Sequence, residues 1–319
     1  MARYLLRRVL LIIPTFFIVS VIVFSMIRLI PGDIVDQMLE DRGGIYGIDH
    51  DEIRERMGLN RPIHIQYLSW AANFFTGDFG ESLWNKRSGL AEFKRRFPVT
   101  FQLAVMTIIL ASVWGIFVGI VAAVRQDSML DYLLRSVSVV GLSIPYFWSS
   151  TLVIIFGSLW FNWSSSVIYV PPFGDRADFW ENMKIMIVPA TLFAFAIGAP
   201  IARMTRATLL EVMRTDYIRT AQAKGLTGNA VISRHALKNA LIPVVAMIGI
   251  QAVFAVGGST IMETIWRLPG LGQYIVDVVL FRDYTMLQAL TMFIAMIIIV
   301  INLLVDISYA WLDPRIRYQ

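Results

Sequence analysis

Val99–Val124 reads VTFQLAVMTIILASVWGIFVGIVAAV and carries no charged side chain. A helix of this length crosses the roughly 30 Å hydrocarbon core of a bilayer, which needs about 20 mostly apolar residues. Working outward, five more stretches qualify, some only with their flanks: Val9–Ile30, Leu133–Phe161 with Pro145 inside, about Ile185–Met204 with Pro189 and Pro200 near its ends, Leu241–Met262 and Gln288–Leu312. The expected fold class is all-α, a polytopic membrane protein with six transmembrane helices. The first stretch has the basic start of a signal peptide (Arg3, Arg7, Arg8), but its apolar run is too long and no Ala-x-Ala site follows, so it reads as a retained helix.

Composition agrees. Of 319 residues, 57% are hydrophobic and 16% charged, where a soluble domain carries roughly 25% charged. Mean hydropathy is +0.63. Disordered, collagen-like and nucleic-acid-coating chains are excluded. The net charge of +5 is small, and excess basic residues in such a chain mark cytoplasmic segments rather than a nucleic-acid partner. Cysteine is absent, which excludes disulfides, thiolate metal sites, thiol catalysis and lipoprotein acylation. His50, His64 and His235 are too scattered for a metal site.

With the N-terminus inside, both termini are cytoplasmic. The inner segments then hold Arg3, Arg7, Arg8, Arg125, Arg135, seven Lys/Arg between positions 203 and 240, Arg315 and Arg317. The two short outer loops hold Arg176, Lys184, Arg267 and Arg282. The long outer loop, residues 31–98, has nine Lys/Arg and eleven Asp/Glu, and loops this long translocate largely regardless of charge. Its Lys94-Arg95-Arg96 cluster is the worst fit. Trp160 and Trp163 mark one interface, Tyr309 and Trp311 the other. Within this loop, Asp49–Met57 reads as a short exposed helix, Pro62–Phe75 as a helix with a face of Ile65, Leu68, Trp70 and Phe74, and Gly77-Asp78-Phe79-Gly80 as a turn. These predict a small helical cap on the outer mouth, against the alternative of an unstructured loop.

The middles of the spans hold no charge, and Arg28, Arg203, Arg206 and Asp306 lie near ends where side chains snorkel. A proton-coupled transporter is disfavoured, since such proteins place ionisable groups inside the membrane. No phosphate-binding Gly-x4-Gly-Lys-Ser/Thr loop, no HExxH and no nucleophile–base constellation is present. Uphill movement of a solute therefore needs energy from another polypeptide.

The basic loop 205–240 between spans four and five is the most informative segment. Leu210, Met213 and Tyr217 form a helical stripe, Thr215-Asp216 a helix start, Gly225 a stop, and Thr227 a cap for a second helix running toward Lys238. A short helix held at both ends suits docking into another protein's groove. It equally suits an amphipathic helix resting on lipid headgroups.

The stretch Asp216-Tyr217-Ile218-Arg219-Thr220-Ala221-Gln222-Ala223-Lys224-Gly225-Leu226, followed by His235-Ala236-Leu237-Lys238-Asn239-Ala240-Leu241-Ile242-Pro243, resembles the EAA loop of ABC importer permeases, in particular the dipeptide/oligopeptide/nickel branch. The resemblance spans the chain. It includes Ile30-Pro31-Gly32-Asp33, Gly58-Leu59-Asn60-Arg61-Pro62, Gln66-Tyr67-Leu68, Gly77-Asp78-Phe79-Gly80-Glu81-Ser82 and Met204-Thr205-Arg206. It continues through Glu263-Thr264-Ile265, Pro269-Gly270-Leu271-Gly272, Arg282-Asp283-Tyr284 and Asp313-Pro314-Arg315-Ile316-Arg317. Arg219 stands where the general motif has Glu, Thr220 where it has its first Ala, and Lys238 where it has its closing Pro.

The resemblance implies an N-terminal transmembrane helix at 1–30, a scoop-like extracytoplasmic loop at 31–98 and a permease core at 99–319. It implies a subunit of the bacterial inner membrane that is not itself an enzyme and binds no cofactor. ATP and Mg would sit on two cytoplasmic ABC ATPase subunits. The remaining partners would be a second homologous permease, an extracytoplasmic solute-binding protein and membrane lipids. Asp216, Tyr217, Arg219, Thr220, Ala221, Lys224, Gly225 and Leu226 would form the ATPase-coupling element. Ser143, Pro145, Ser149, Gly257 and Gly258 are candidates for the translocation path, against plain helix packing, and Pro145 reads as a kink. Cargo would be di- or oligopeptides, with a nickel chelate, opine, glutathione or oligosaccharide, or a non-transporting ATPase anchor, as alternatives.

Overall fold

The computed structural model describes residues 2–29, 55, 59–82, 85–163, 168–174 and 177–312. Described residues form α1 (Ala2–Arg28), α2 (Ile63–Thr76), α3 (Gly89–Val124), α4 (Met129–Ser143) and α5 (Tyr146–Phe161). There follow α6 (Phe179–Met213), α7 (Asp216–Ala223), α8 (Gly228–Val231), α9 (Leu237–Trp266), α10 (Leu271–Leu280) and α11 (Tyr284–Leu312). Five helices are long and apolar enough to cross a membrane, and six spans result when α4 and α5 count as one. The Arg8–Asp306 ion pair, 2.9 Å, sets the start of α1 beside the end of α11, so both terminal helices meet at one end of the bundle.

The expected third span is not one rod. The α4 and α5 axes differ by 94°. Proline lacks the amide that would continue the ladder and drives its predecessor out of the helical region; Ile144 accordingly sits at φ −87°, ψ 118°. By contrast α6 runs through both Pro189 and Pro200, which are interior to a helix longer than expected rather than near its ends. Tight packing against α3 sustains it there, as neighbours do for prolines in membrane helices.

The α3–α6 contact is the centre of the molecule. A Cβ built on Gly115 would lie 2.7 Å from the Gly198 carbonyl, and one on Gly119 would lie 2.6 Å from the Ala202 carbonyl and 2.5 Å from Thr205 Cβ. Gly198 in turn receives the Trp114 ring. Around this contact Leu103, Ala111, Phe193, Ile197 and Ile201 are buried. Small residues allow such close approach, and with it dispersion contacts that lipid cannot replace.

The outer segment packs differently from the expected face. In α2, Tyr67, Trp70 and Phe74 turn inward, while Ile65 and Leu68 are exposed. Tyr67 Oη and Ser20 Oγ are 2.8 Å apart, Arg28 donates to Gln66, and Phe74 and Phe75 meet Phe16. The helix thus lies along the C-terminal half of α1. Asp49–Met57 falls outside the described residues apart from Glu55. The Lys94-Arg95-Arg96 cluster lies on α3, which begins at Gly89, ten residues before the apolar run. Arg95 and Arg96, with Arg87, surround the buried Glu92 carboxylate at 2.7, 2.9 and 3.1 Å. The basic cluster thereby serves a local ion network.

At the other end, Arg206 of α6 grips Asp131 of α4 with two bonds, Nε–Oδ1 2.8 Å and Nη2–Oδ2 2.7 Å. Asp131 is fully buried. Replacing Asp131 with Asn leaves Arg206 half-paired and is expected to cost about 2 kcal/mol, read as a lower melting point of the detergent-solubilised protein. Gly119→Val is expected to cost about 1–3 kcal/mol by overpacking, whereas Gly257→Ala, with nothing within 4 Å of its Cβ, leaves the melting point unchanged in the same assay.

Candidate functional site: the helix–turn that follows α6

After α6 the chain turns at Arg214-Thr215 and enters α7. The expected start holds: Thr215 is the N-cap, although its hydroxyl donates to the Val212 carbonyl at 2.6 Å instead of capping α7. Ile218 and Ala221 face inward onto Ala123 of α3, Leu209 of α6, Val231 of α8, and Ala236 and Ala240. Full burial of Ile218 contributes about 1.5–3 kcal/mol. Leu210 and Met213 join this cluster from α6. Tyr217 does not, because the break at 214–215 rotates α7 out of register with α6. It is 44% exposed, and its hydroxyl accepts from Asn239 Nδ2 at 2.8 Å, tying α7 to α9.

The end of α7 is fixed by backbone geometry. Gly225 N–H donates to Gln222 O at 2.9 Å and Leu226 N–H to Ala221 O at 3.4 Å. This is the paired closure that requires a left-handed residue after the helix, and Gly225 has φ +81°. A Cβ there would meet nothing within 4 Å, so the demand for glycine is conformational and not steric. The second helix starts at Gly228 after its N-cap Thr227. It does not stop near Lys238: a π-helical turn, Ile232–Ala236, carries it directly into α9.

The outward face of α7 and its turn carries Asp216, Arg219, Thr220, Gln222, Lys224, Gly225 and Leu226, all exposed. Arg219 reaches Asp216 at 3.2 Å, with both side chains largely in solvent, so the pair stabilises little. Of the predicted coupling residues, Ala221 alone is buried. Sequence reasoning missed Ile218, hidden because Leu210, Met213 and Tyr217 looked like one stripe. It also missed Asp131, whose signal was Ser128 three residues earlier: Ser128 Oγ accepts from Asp131 N–H at 3.3 Å.

The candidate path residues gather around the α4–α5 break and the middle of α9. Ser143 and Pro145 are exposed at the break, and Ser149 Oγ donates to the Tyr146 carbonyl at 2.9 Å. Tyr146 stacks on Phe193 at 4.7 Å. A Cβ on Gly258 would lie 2.7 Å from the Phe193 ring and 3.2 Å from Tyr146 Oη, while Gly257 faces open space. Gly258 is therefore a packing residue. Gly257 shares its exposed surface with Ile250, Phe254 and Ile261. Among the described residues no cluster of His, Cys, Asp or Glu could hold a metal ion.

Residues 115–318 match the family model "Binding-protein-dependent transport system inner membrane component", and residues 1–104 match its N-terminal counterpart, "Binding-prot-dependent transport system membrane comp, N-term". The chain is 36% identical to the di/tripeptide transport system permease protein DppB of Pseudomonas aeruginosa, and 37% identical to the glutathione transport system permease protein GsiC of Escherichia coli K12, over the whole of each chain. Its fold resembles a chain of the inward-facing MetNI methionine ABC transporter, with a TM-score of 0.56 at 19% identity, covering 69% of this chain and 96% of the other. The buried-faced helix and glycine turn at one end of an all-α membrane bundle thus occur in a chain that belongs to the binding-protein-dependent transport system inner membrane components, as a multi-pass permease subunit and not an enzyme.

Proposed function

We propose that this chain is one transmembrane half of a peptide-importing ABC transporter of the bacterial inner membrane, and that Asp216–Leu226 seats a cytoplasmic ATPase. One observation carries the coupling assignment. The aliphatic side of α7, Ile218 and Ala221, is spent inside the chain's own core, and the outward face is mostly polar, with Tyr217 and Leu226 its partly exposed apolar members. A helix resting on lipid headgroups would turn its apolar side to the acyl chains; here that side is already buried against α3, α6 and α8. A polar, rigidly closed helix end suits a protein groove.

In this reading ATP binding closes the two ATPases and draws α7 with them. The push reaches the bundle by two routes. One is the core shared by α7 with the ends of α3 and α6, and the other is the continuous helix from Gly228 into α9. Shifting a gate from 1:99 to 99:1 needs about 5.5 kcal/mol of differential binding, so the element must transmit force without yielding. The ATPases supply the hydrolysis of ATP with Mg, a second permease completes the path, and a solute-binding protein delivers cargo from the far side.

Peptide cargo is supported by the DppB relative, a di/tripeptide transport system permease protein by name. Glutathione, named for GsiC, is itself a small peptide and stays within the same class. A non-transporting anchor would also carry the α7 surface. ATP-driven peptide uptake in vesicles containing all the subunits separates the two, and its absence rules out the importer.

Two expected outcomes follow for such vesicles. Gly225→Val forces a β-branched residue into a left-handed backbone, at about 1–2 kcal/mol. It is expected to lower uptake strongly while the protein inserts and the ATPases still hydrolyse ATP; uptake at the wild-type rate would overturn the coupling role. Deleting residues 43–58, which leaves α2 on α1, is expected to abolish stimulation of ATP turnover by the binding protein, measured as phosphate release with and without it.

A further inference from the structure

At the end of the bundle opposite α7 lies α10, ten residues long and so about 15 Å in length, too short to cross a membrane. It packs on α9, α3 and α11 through Leu271, Tyr274 and Val278. Its first-turn amides have no partners within the helix. They are met by side chains from two spans. Gln273 N–H donates to Glu263 Oε2 of α9 at 3.0 Å, and Leu271 N–H donates to Thr100 Oγ1 of α3 at 2.8 Å.

Glu263 is fully buried. The turn before α10 is wrapped closely around its carboxylate: a Cβ on Gly270 would overlie the carboxylate itself, and one on Gly272 would run into the Thr260 backbone and lie 2.9 Å from Glu263 Oε2. A carboxylate at a helix N-terminus also meets the positive end of the helix dipole. A buried carboxylate is costly without such partners; α10 supplies one to Oε2, while Oε1 has no hydrogen-bond partner among the described residues. The far end of α10 is held as well: Asp283 accepts from the Met286 amide at 3.2 Å and from Ser82 Oγ at 2.6 Å.

We infer that Glu263 is a positioning residue for transport, a latch that makes α10 and the outer end of α9 move as one rigid gate. The inference deepens the permease reading above and rests on it. Alternating access requires the outer mouth to open when the inner end closes. The latch carries motion of α9 into α10 with no slack, and Thr100 extends the same unit to α3. Nothing in the coupling reading of α7 calls for Glu263, which lies at the other end of the bundle.

The chain has no cysteine, so paired spin labels can be placed at exposed Ile261 on α9 and Val279 on α10. In the wild-type complex, with permease partner, ATPases and binding protein in nanodiscs, the 261–279 distance is expected to be narrow and identical in nucleotide-free and ATP–vanadate-trapped states. Glu263→Gln is expected to broaden it, and to lower peptide uptake per ATP hydrolysed about ten-fold, the loss expected from one charge-assisted hydrogen bond. Binding-protein-independent ATP turnover is retained; general structural damage would lower uptake and turnover together. Gly272→Ala, which displaces the turn without removing the carboxylate, is expected to broaden the distance in the same way and serves if Glu263→Gln fails to assemble. A wild-type distance that changes on trapping, or a narrow distance and normal uptake ratio in both variants, overturns the latch. Lack of peptide uptake by the unlabelled wild type would instead count against the permease reading, and the nucleotide-free distances would still judge the latch.

Discussion

Everything in the bundle is arranged around the approach of α3 to α6 through Gly115, Gly119 and Gly198. Inside a membrane, lipid tails are as apolar as leucine, so burial of apolar surface gives helices little reason to associate. Contact distance decides instead. Carbonyl oxygens of one helix lie where the other helix has no Cβ, and the resulting closeness lets Leu103, Phe193, Ile197 and Ile201 interdigitate. The remaining helices are laid against this pair. α9 packs on both of them, α11 packs on α9, and α1 reaches the bundle through α11. The ends of the same pair, Ala123 and Leu209, form the floor on which α7 rests. The helix proposed to seat the ATPase therefore rests on the ends of the most extensive helix pair among the described residues.

The charges that the spans exclude from their middles are used at their ends. Glu92, Asp131, Glu263 and Asp283 are all buried. Glu92 holds a local network of Arg87, Arg95 and Arg96, whereas the other three join distant stretches of chain: Asp131 holds α4 to α6, Glu263 holds α9 to α10, and Asp283 holds the start of α11 to Ser82. A carboxylate near the membrane edge gains more from several donors at once than from exposure. Asp131 and Glu263 use those donors to fasten one helix to another.

The spans were legible because a long uncharged run admits few other readings; so were the glycine stop at Gly225 and the break at Pro145, which follow from backbone sterics local to a few residues. What was hidden depended on partners distant in sequence. Nothing near Leu133 announces a 94° bend, and nothing in Pro189 or Pro200 says that α6 will run unbroken through them against α3. The inward side of α2 fell on Tyr67 rather than Leu68 because α1 offered it Ser20 and Phe24. Tyr217 left its apparent stripe because two residues, Arg214 and Thr215, rotate one helix relative to the next. Ile218 became readable as core only once that rotation was known.

The helix that begins at Gly228 and ends at Trp266 is 39 residues long, hence about 58 Å from end to end. Its start adjoins Gly225 and its finish carries Glu263. Such a rod is a mechanical amplifier: pivoting about one tip by about 5° sweeps the other through about 5 Å at that length. Its irregularities among the described residues, the wider winding at Ile232–Ala236 and Pro243, both lie toward the end that adjoins Gly225. Under the proposed coupling, a very small stroke at the Gly225 end would become a wide excursion at the Glu263 end.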